Sequence, residues 1–198
     1  MTDATSEPEV LSIAQIGEPI LRETAARVAL DELGGDAMQR FIDSLIATMR
    51  HARGAGLAAN QVFVTKRVCV MEVRDNPRYP YKPNIPLTVL VNPVLTSLGE
   101  ETFDSYEGCL SVPNLRGVVK RPVGVRVEAL DRFGQPLTRE VWGLSAGTYF
   151  HECDHLDGKL FVDRVEDTRT LCTWEAFDAH YRAGFVERAE ALVARFGA

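Results

Sequence analysis

Two histidines four residues apart, His151 and His155, with Glu152 directly after the first, are the residues of this chain best spaced to do chemistry. On a helix, positions i and i+4 lie above one another on one face, so both imidazoles can reach a single metal ion. Glu152 falls about 100° further round, beside such an ion rather than on it. An ion with two imidazole ligands and an adjacent carboxylate can activate water for hydrolysis. Residue frequencies give this pattern by accident in roughly one chain of this length in 200 to 300, so a metal site is a better reading than two core histidines. The flanks set expectations for the helix itself. Ser145 is the expected N-cap, Gly158 the left-handed C-terminal stop, and Gly147 with Thr148 the weak points between them.

A hydrolytic site of this kind needs a third protein ligand and an open position. A further histidine three residues after Gly158 would complete one known pattern, but Phe161 stands there. Glu166 and Glu175 are downstream acids in acidic stretches, where a solvated surface charge is the simpler role. Among the four cysteines, Cys153 lies about 200° from His151 on the helix and points away from its ligand face. Cys69, within an apolar run, and Cys172, near the start of the last helix, read as core. Cys109 lies between Glu107-Gly108 and Leu110-Ser111-Val112-Pro113, where glycine and proline allow a sharp approach of the backbone, and it is the favoured third ligand. Residues 54–61 satisfy G-x-G-x-x-A but follow a helix instead of a strand, which argues against a dinucleotide site. What remains is a glycine-rich segment ending in the Gln61 carboxamide, able to donate to a carbonyl oxygen; the plainer alternative is a tight helix-to-strand connection.

The positioning elements follow from periodicity. Apolar residues recur at helical spacing over residues 36–53, with Asp36 and Gln39 as an expected capping box and Gly54 as the stop. Strands are expected over residues 66–73 and 87–92, separated by a proline-rich surface loop over 74–86. Val123, Val125 and Val127 mark a strand that turns at residues 131–134 and returns over 137–142. After the His-bearing helix come a short extended run at 159–165 and one long amphipathic helix over 173–196. Residues 1–15 read as extended and partly loose. The expected fold is α+β: antiparallel strands packed around a central metal-binding helix, with an N-terminal helix and a long C-terminal helix, all in one domain spanning residues 1–198. A net charge of −6 argues against broad nucleic-acid binding. With no apolar run of membrane-spanning length, no signal or transit pattern and no disulfide spacing, the expectation is a monomeric cytoplasmic enzyme with reduced thiols.

Three segments in order, residues 54–61 (G-x-G-L-A-A-x-Q), 107–111 (E-G-C-L-S) and 150–158 (Q-H-E-x-D-H-x-x-G, with Phe150 at the first place), resemble the motifs of the peptide deformylases, and the similarity extends over most of residues 10–165. The resemblance implies that Cys109, His151 and His155 bind the metal and that Glu152 is the general acid/base. It further implies that the Leu110 N–H and the Gln61 carboxamide hold the formyl oxygen and that Gly56 contacts the substrate peptide. The implied reaction removes the N-formyl group from formylmethionine on newly made polypeptides, releasing formate, with Fe(II) as the cellular metal and Zn(II), Ni(II) or Co(II) as other occupants. It also suggests a ribosome contact through Arg182, Arg188 and Arg195 of the last helix, against a plain solvated face. Two positions depart from the family: Phe150 replaces a glutamine and Gly147 a frequent arginine. Both are expected in a turn bordering the methionine pocket, where they would alter its shape or lower the rate. The rival readings are a peptidase built on the same helix motif, which would not need Cys109, and a divergent relative with reduced or no activity.

Overall fold

The computed structural model describes residues 8–74 and 80–197. In chain order its elements are α1 (Leu30–Leu33), α2 (Asp36–His51), β1 (Gly56–Ala58), β2 (Val68–Val73), β3 (Ile85–Ser97), β4 (Thr102–Cys109), β5 (Val112–Pro122), β6 (Gly124–Leu130), β7 (Pro136–Trp142), α3 (Gly143–Leu156), α4 (Trp174–His180) and α5 (Arg182–Phe196). Five strands form one antiparallel sheet in the order β1-β2-β3-β6-β7, and β4 and β5 form a separate hairpin. The expected α+β architecture is the observed one.

Helix α3 lies between the sheet and the hairpin and is buried almost all round, its buried residues including Ser145, Thr148, Glu152, Asp154 and His155. Ala146, Tyr149, Cys153 and Leu156 pack on the sheet, while Leu144 joins the aromatic cluster under α5. On the other sheet face, Met38, Ile42, Leu45, Ile46 and Met49 of α2 fill the second half of the core. Strand β3 runs well beyond the expected segment. It passes through a register shift at Asn92, whose φ is +55°. The Asn92 amide accepts from Val28 N at 2.9 Å and donates to Val28 O at 2.8 Å, tying the N-terminal strap to the sheet.

Several local expectations are corrected. Asp36 does not cap α2: Gly35 is the N-cap, and the Gln39 amide donates instead to Leu33 O and Arg132 O. That helix stops at His51, ahead of Gly54, through Arg53 at φ +54°. Ser145 lies inside α3, which begins two residues earlier after Trp142. Gly158 does close that helix with φ +70°, and an added Cβ there would sit 2.5 Å from the Arg22 carbonyl oxygen. Residues 159–165 are not extended. The Asp163 carboxylate accepts from Leu160 N at 2.8 Å and folds Phe161–Arg164 into a 3-10 turn. The last helix is broken at Tyr181. In a straight helix Phe177 and Phe185 would point about 80° apart. The break lets both rings pack on Tyr106, at centroid distances of 5.0 and 5.8 Å. Of the expected loop at 74–86, residues 75–79 lie outside the described residues, Tyr81 is buried and Ile85 already belongs to β3. Residues 1–7 of the expected loose N-terminus also lie outside the described residues.

Candidate metal centre

The hairpin delivers Cys109 to the face of α3 that carries both histidines. Cys109 ends β4 and pairs with Val112 across a tight turn. Its Sγ lies 3.2 Å from His155 Nε2, which in turn lies 3.3 Å from His151 Nε2. The three ligand atoms fall within 4.8 Å of one another, and this is the sole such group among the described residues. The expected downstream acids are elsewhere: Glu166 is exposed and paired with Lys120.

The outer contacts fix which nitrogen faces the cluster. His151 Nδ1 stands 2.8 Å from Glu107 Oε2, so it donates and leaves the Nε2 lone pair directed inward. Glu107 is clamped by Arg121 Nε and Nη2 at 2.7 and 2.9 Å, and Arg121 Nη1 reaches Asp154 Oδ2 at 2.6 Å. Arg164 holds the same Asp154 from the far side, and the Asn60 amide donates to the His155 carbonyl. Burial would raise the Glu107 carboxyl, but Arg121 and then His151 pull it down to about 2. Burial likewise disfavours the Cys109 thiolate, yet His155 and His151 hold that thiol well below its ordinary range. His151 is drawn down by burial and carried well above its ordinary value by Cys109 and Glu107. One proton can bridge one pair of these donors but not all three. A soft thiolate and two imidazoles converging on one point are the donor set of a divalent transition metal.

Glu152 lies next to this point. It is buried, its pKa is raised by that burial, and its Oε2 has no partner among the described residues. Gly56 of β1 is what makes room for it: a Cβ there would fall 2.3 Å from Glu152 Oε1. Residues 54–61 are thus neither a nucleotide loop nor a plain connection, but a short strand and a 3-10 turn laid along the site. Gln61 Oε1 accepts from Ala58 N at 2.9 Å, which turns its Nε2 toward Ser111 Oγ at 3.0 Å and Cys109 Sγ at 3.5 Å. Gly56, Gln61, Cys109, Leu110, His151 and Glu152 line a single cavity. All seven residues singled out from the sequence therefore come together around one point.

The two departures are separated by the fold. Both sit within α3, not in a turn. Gly147 lines the cavity, whereas Phe150 packs with the sheet-facing core and does not line it. Sequence reasoning missed Glu107, Arg121 and Asp154 as supports of the ligands. The position of Glu107 two residues before Cys109, and of Asp154 directly before His155, was the available signal. Nothing in the sequence pointed to Lys82, whose Nζ donates to Thr148 Oγ1 at 3.1 Å on the cavity wall.

Comparison with known proteins agrees with this geometry. The family model for polypeptide deformylase matches residues 10–170. Peptide deformylase 2 of a Nostoc species is 41% identical over 170 residues, covering 86% of this chain and 94% of the relative. Peptide deformylase 1 of Nitrosomonas europaea is 40% identical over 157 residues, covering 79% and 88%. The crystal structure of a class I type b peptide deformylase from Acinetobacter baumannii with Met-Ala-Ser bound superposes with a TM-score of 0.77 at 40% identity, covering 80% of this chain and 99% of that one. A peptide deformylase from Synechococcus elongatus in complex with actinonin gives a TM-score of 0.72 at 34% identity, covering 93% and 91%. The family match ends before α4 and α5 begin. On shared fold, extent of identity and a thiol–imidazole cluster able to bind a metal, the chain belongs to the polypeptide deformylase family, whose enzymes remove the N-formyl group from nascent chains.

Proposed function

We propose that this chain, as one catalytic domain, deformylates the N-terminal formylmethionine of nascent polypeptides with the residues gathered around Cys109, His151 and His155. The observation that carries the assignment of roles is the buried Glu152 beside those three donors, whose Oε2 has no partner among the described residues. Cys109, His151 and His155 would hold one divalent ion, Fe(II) in the cell, with Zn(II), Ni(II) or Co(II) compatible with the same donors. Such an ion supplies positive charge that acidifies water and polarises a carbonyl.

The rest of the chemistry falls to the chain itself. Glu152 takes a proton from water as the water oxygen bonds to the formyl carbon. Its raised pKa brings it nearer the range in which a carboxylate can both accept and return a proton. The Gln61 Nε2 amide, fixed by Ala58 and Ser111, and the Leu110 N–H at the hairpin turn donate to the formyl oxygen as negative charge builds there. Gly56 gives the peptide backbone a close approach beside Glu152. The carbon–nitrogen bond then breaks, Glu152 passes its proton to the leaving amine, and formate departs.

The test is formate release from formyl-Met-Ala-Ser, with Fe(II) kept from air. Glu152→Ala should retain the metal and lose turnover by at least about a hundredfold. Near-normal turnover with metal bound would overturn the role of Glu152. A cytoplasmic location fits four cysteines that are all free thiols and the finding that no described helix is long and apolar enough to cross a membrane. The ribosome is the remaining partner in this reading. Arg182 and Arg195 already pair with Asp178 and Glu101, so co-sedimentation with ribosomes should depend on Arg188 more than on either.

A further inference from the structure

The N-terminal strap, residues 14–26, is bonded to each of the three segments that build the site. Ala14 N donates to the Gln61 carbonyl at 2.8 Å, and Ile16 N donates to the Ser111 carbonyl at 2.7 Å. The Gln15 carboxamide adds a bond to the Leu110 carbonyl at 3.3 Å. Further along, Ala25 N donates to the Leu156 carbonyl at 2.9 Å, one residue past His155, and Thr24 bridges Asp157. Ala14 and Leu21, both buried, anchor this run in the cluster of Val112, Val119, Leu160 and Phe161. None of residues 14–26 lines the cavity itself. Leu110 and Gln61 sit in two separate turns, and a turn opens locally at little cost unless its backbone is held. Donors to a developing oxyanion must be held to within about 0.5 Å, so whatever fixes these turns acts on the rate.

We propose that Ala14–Ile16 is a positioning element for catalysis: its backbone N–H groups lock the Gln61 turn and the Leu110–Ser111 turn at one spacing, so that both donors meet the formyl oxygen together. The inference rests on the deformylase reading, which gives Leu110 and Gln61 that task. The strap's own fold supplies a clean perturbation. Glu18 N returns to the Gln15 carbonyl at 3.0 Å, closing a turn with Ile16 and Gly17 at its centre and Gly17 at φ +108°. In such a turn the place held by Ile16 is the one that proline favours. Ile16→Pro therefore suits the turn, while it removes the N–H from the Ser111 carbonyl and sets a ring carbon there.

The test measures kcat and KM for formyl-Met-Ala-Ser, per bound Fe(II) and kept from air, on the full-length wild type, Ile16→Pro and Ile16→Ala. Ile16→Pro should lower kcat at least about tenfold with KM within about twofold, and Ile16→Ala, which restores the N–H, should recover most of the rate. In the metal-free proteins, amide exchange over residues 107–113 should be faster in Ile16→Pro than in Ile16→Ala. Gly17→Ala strains the same turn through φ alone, since its Cβ would meet nothing within 4 Å, and should lower kcat at least about threefold. It decides the matter if Ile16→Pro does not fold: an unchanged kcat there overturns the inference. With Ile16→Pro folded, an unchanged kcat, unmoved exchange, or a loss shared equally with Ile16→Ala overturns it while deformylation stands. A wild type that releases no formate overturns the functional reading and this inference together.

Discussion

Replacing Glu107 by glutamine preserves the outline of the side chain and removes the charge that orients His151. In the folded chain this carboxylate takes two hydrogen bonds from Arg121, at 2.7 and 2.9 Å, and one from His151 Nδ1 at 2.8 Å. Burial works against its ionisation, and the Arg121 and His151 contacts outweigh burial, holding it at about 2 against an ordinary 4.5. That difference corresponds to about 3 kcal/mol of folding stability at neutral pH. Because the folded-state pKa is the lower one, this contribution is full above about 4.5 and is lost as pH falls toward about 2. Glu107→Gln should therefore cost about 3 kcal/mol in urea unfolding of the metal-free protein at pH 7, and the gap from wild type should narrow steadily below pH 4.5. Arg121, 3% exposed on its side chain, is left with Asp154 as its one anionic partner, a loss of the kind expected when one charge of a buried pair is removed. The same variant should bind Zn(II) about 10- to 100-fold more weakly in a chelator competition, since the Nδ1 contact fixes the ring. Stability within about 0.5 kcal/mol of wild type at pH 7, together with unchanged Zn(II) affinity, would refute the reasoning.

Gly56→Ala places a methyl group 2.3 Å from Glu152 Oε1, so the carboxylate must move. The expected result is a loss of kcat of at least about tenfold with metal content and unfolding midpoint nearly unchanged, and an unaltered kcat would contradict the close packing. Gly158→Ala forces a left-handed residue with its Cβ against the Arg22 carbonyl, and thermal unfolding should show a loss of at least about 1 kcal/mol. A neutral effect would mean that the end of α3 can shift at no cost.

The legible parts of the sequence were those in which one chemistry dominates. The α2 stripe, the Val123–Val125–Val127 alternation and the turn at Asp131 were readable because apolar period and turn residues agree. That turn is held by the Asp131 carboxylate accepting from Phe133 N and Gln135 N, both at 2.8 Å. The hairpin β4–β5 was not readable because its inward-facing residues include Glu107, Arg116 and Arg121. Charges buried in an ion pair, as Glu107 with Arg121, or against aromatic rings, as Arg116, erase the alternation that announces a strand, and Pro113, Gly117 and Pro122 argue locally against one. The candidate metal-binding residues were legible because a histidine pair at helical spacing calls for a third donor, which Cys109 between its glycine and proline could supply. Capping predictions failed where tertiary contacts took the expected side chains, as with Gln39, which serves the Arg132 carbonyl rather than its own helix end. The break at Tyr181 depends on Tyr106, far away in the chain, and no local pattern encodes it.

The central claim is that one thiolate and two imidazoles share a single ion. X-ray absorption at the metal edge of the Zn(II)-loaded protein addresses this directly. The expected result is one sulfur scatterer at about 2.3 Å and two imidazole nitrogens at about 2.0–2.1 Å. A shell of nitrogen and oxygen only, with no sulfur, would contradict it.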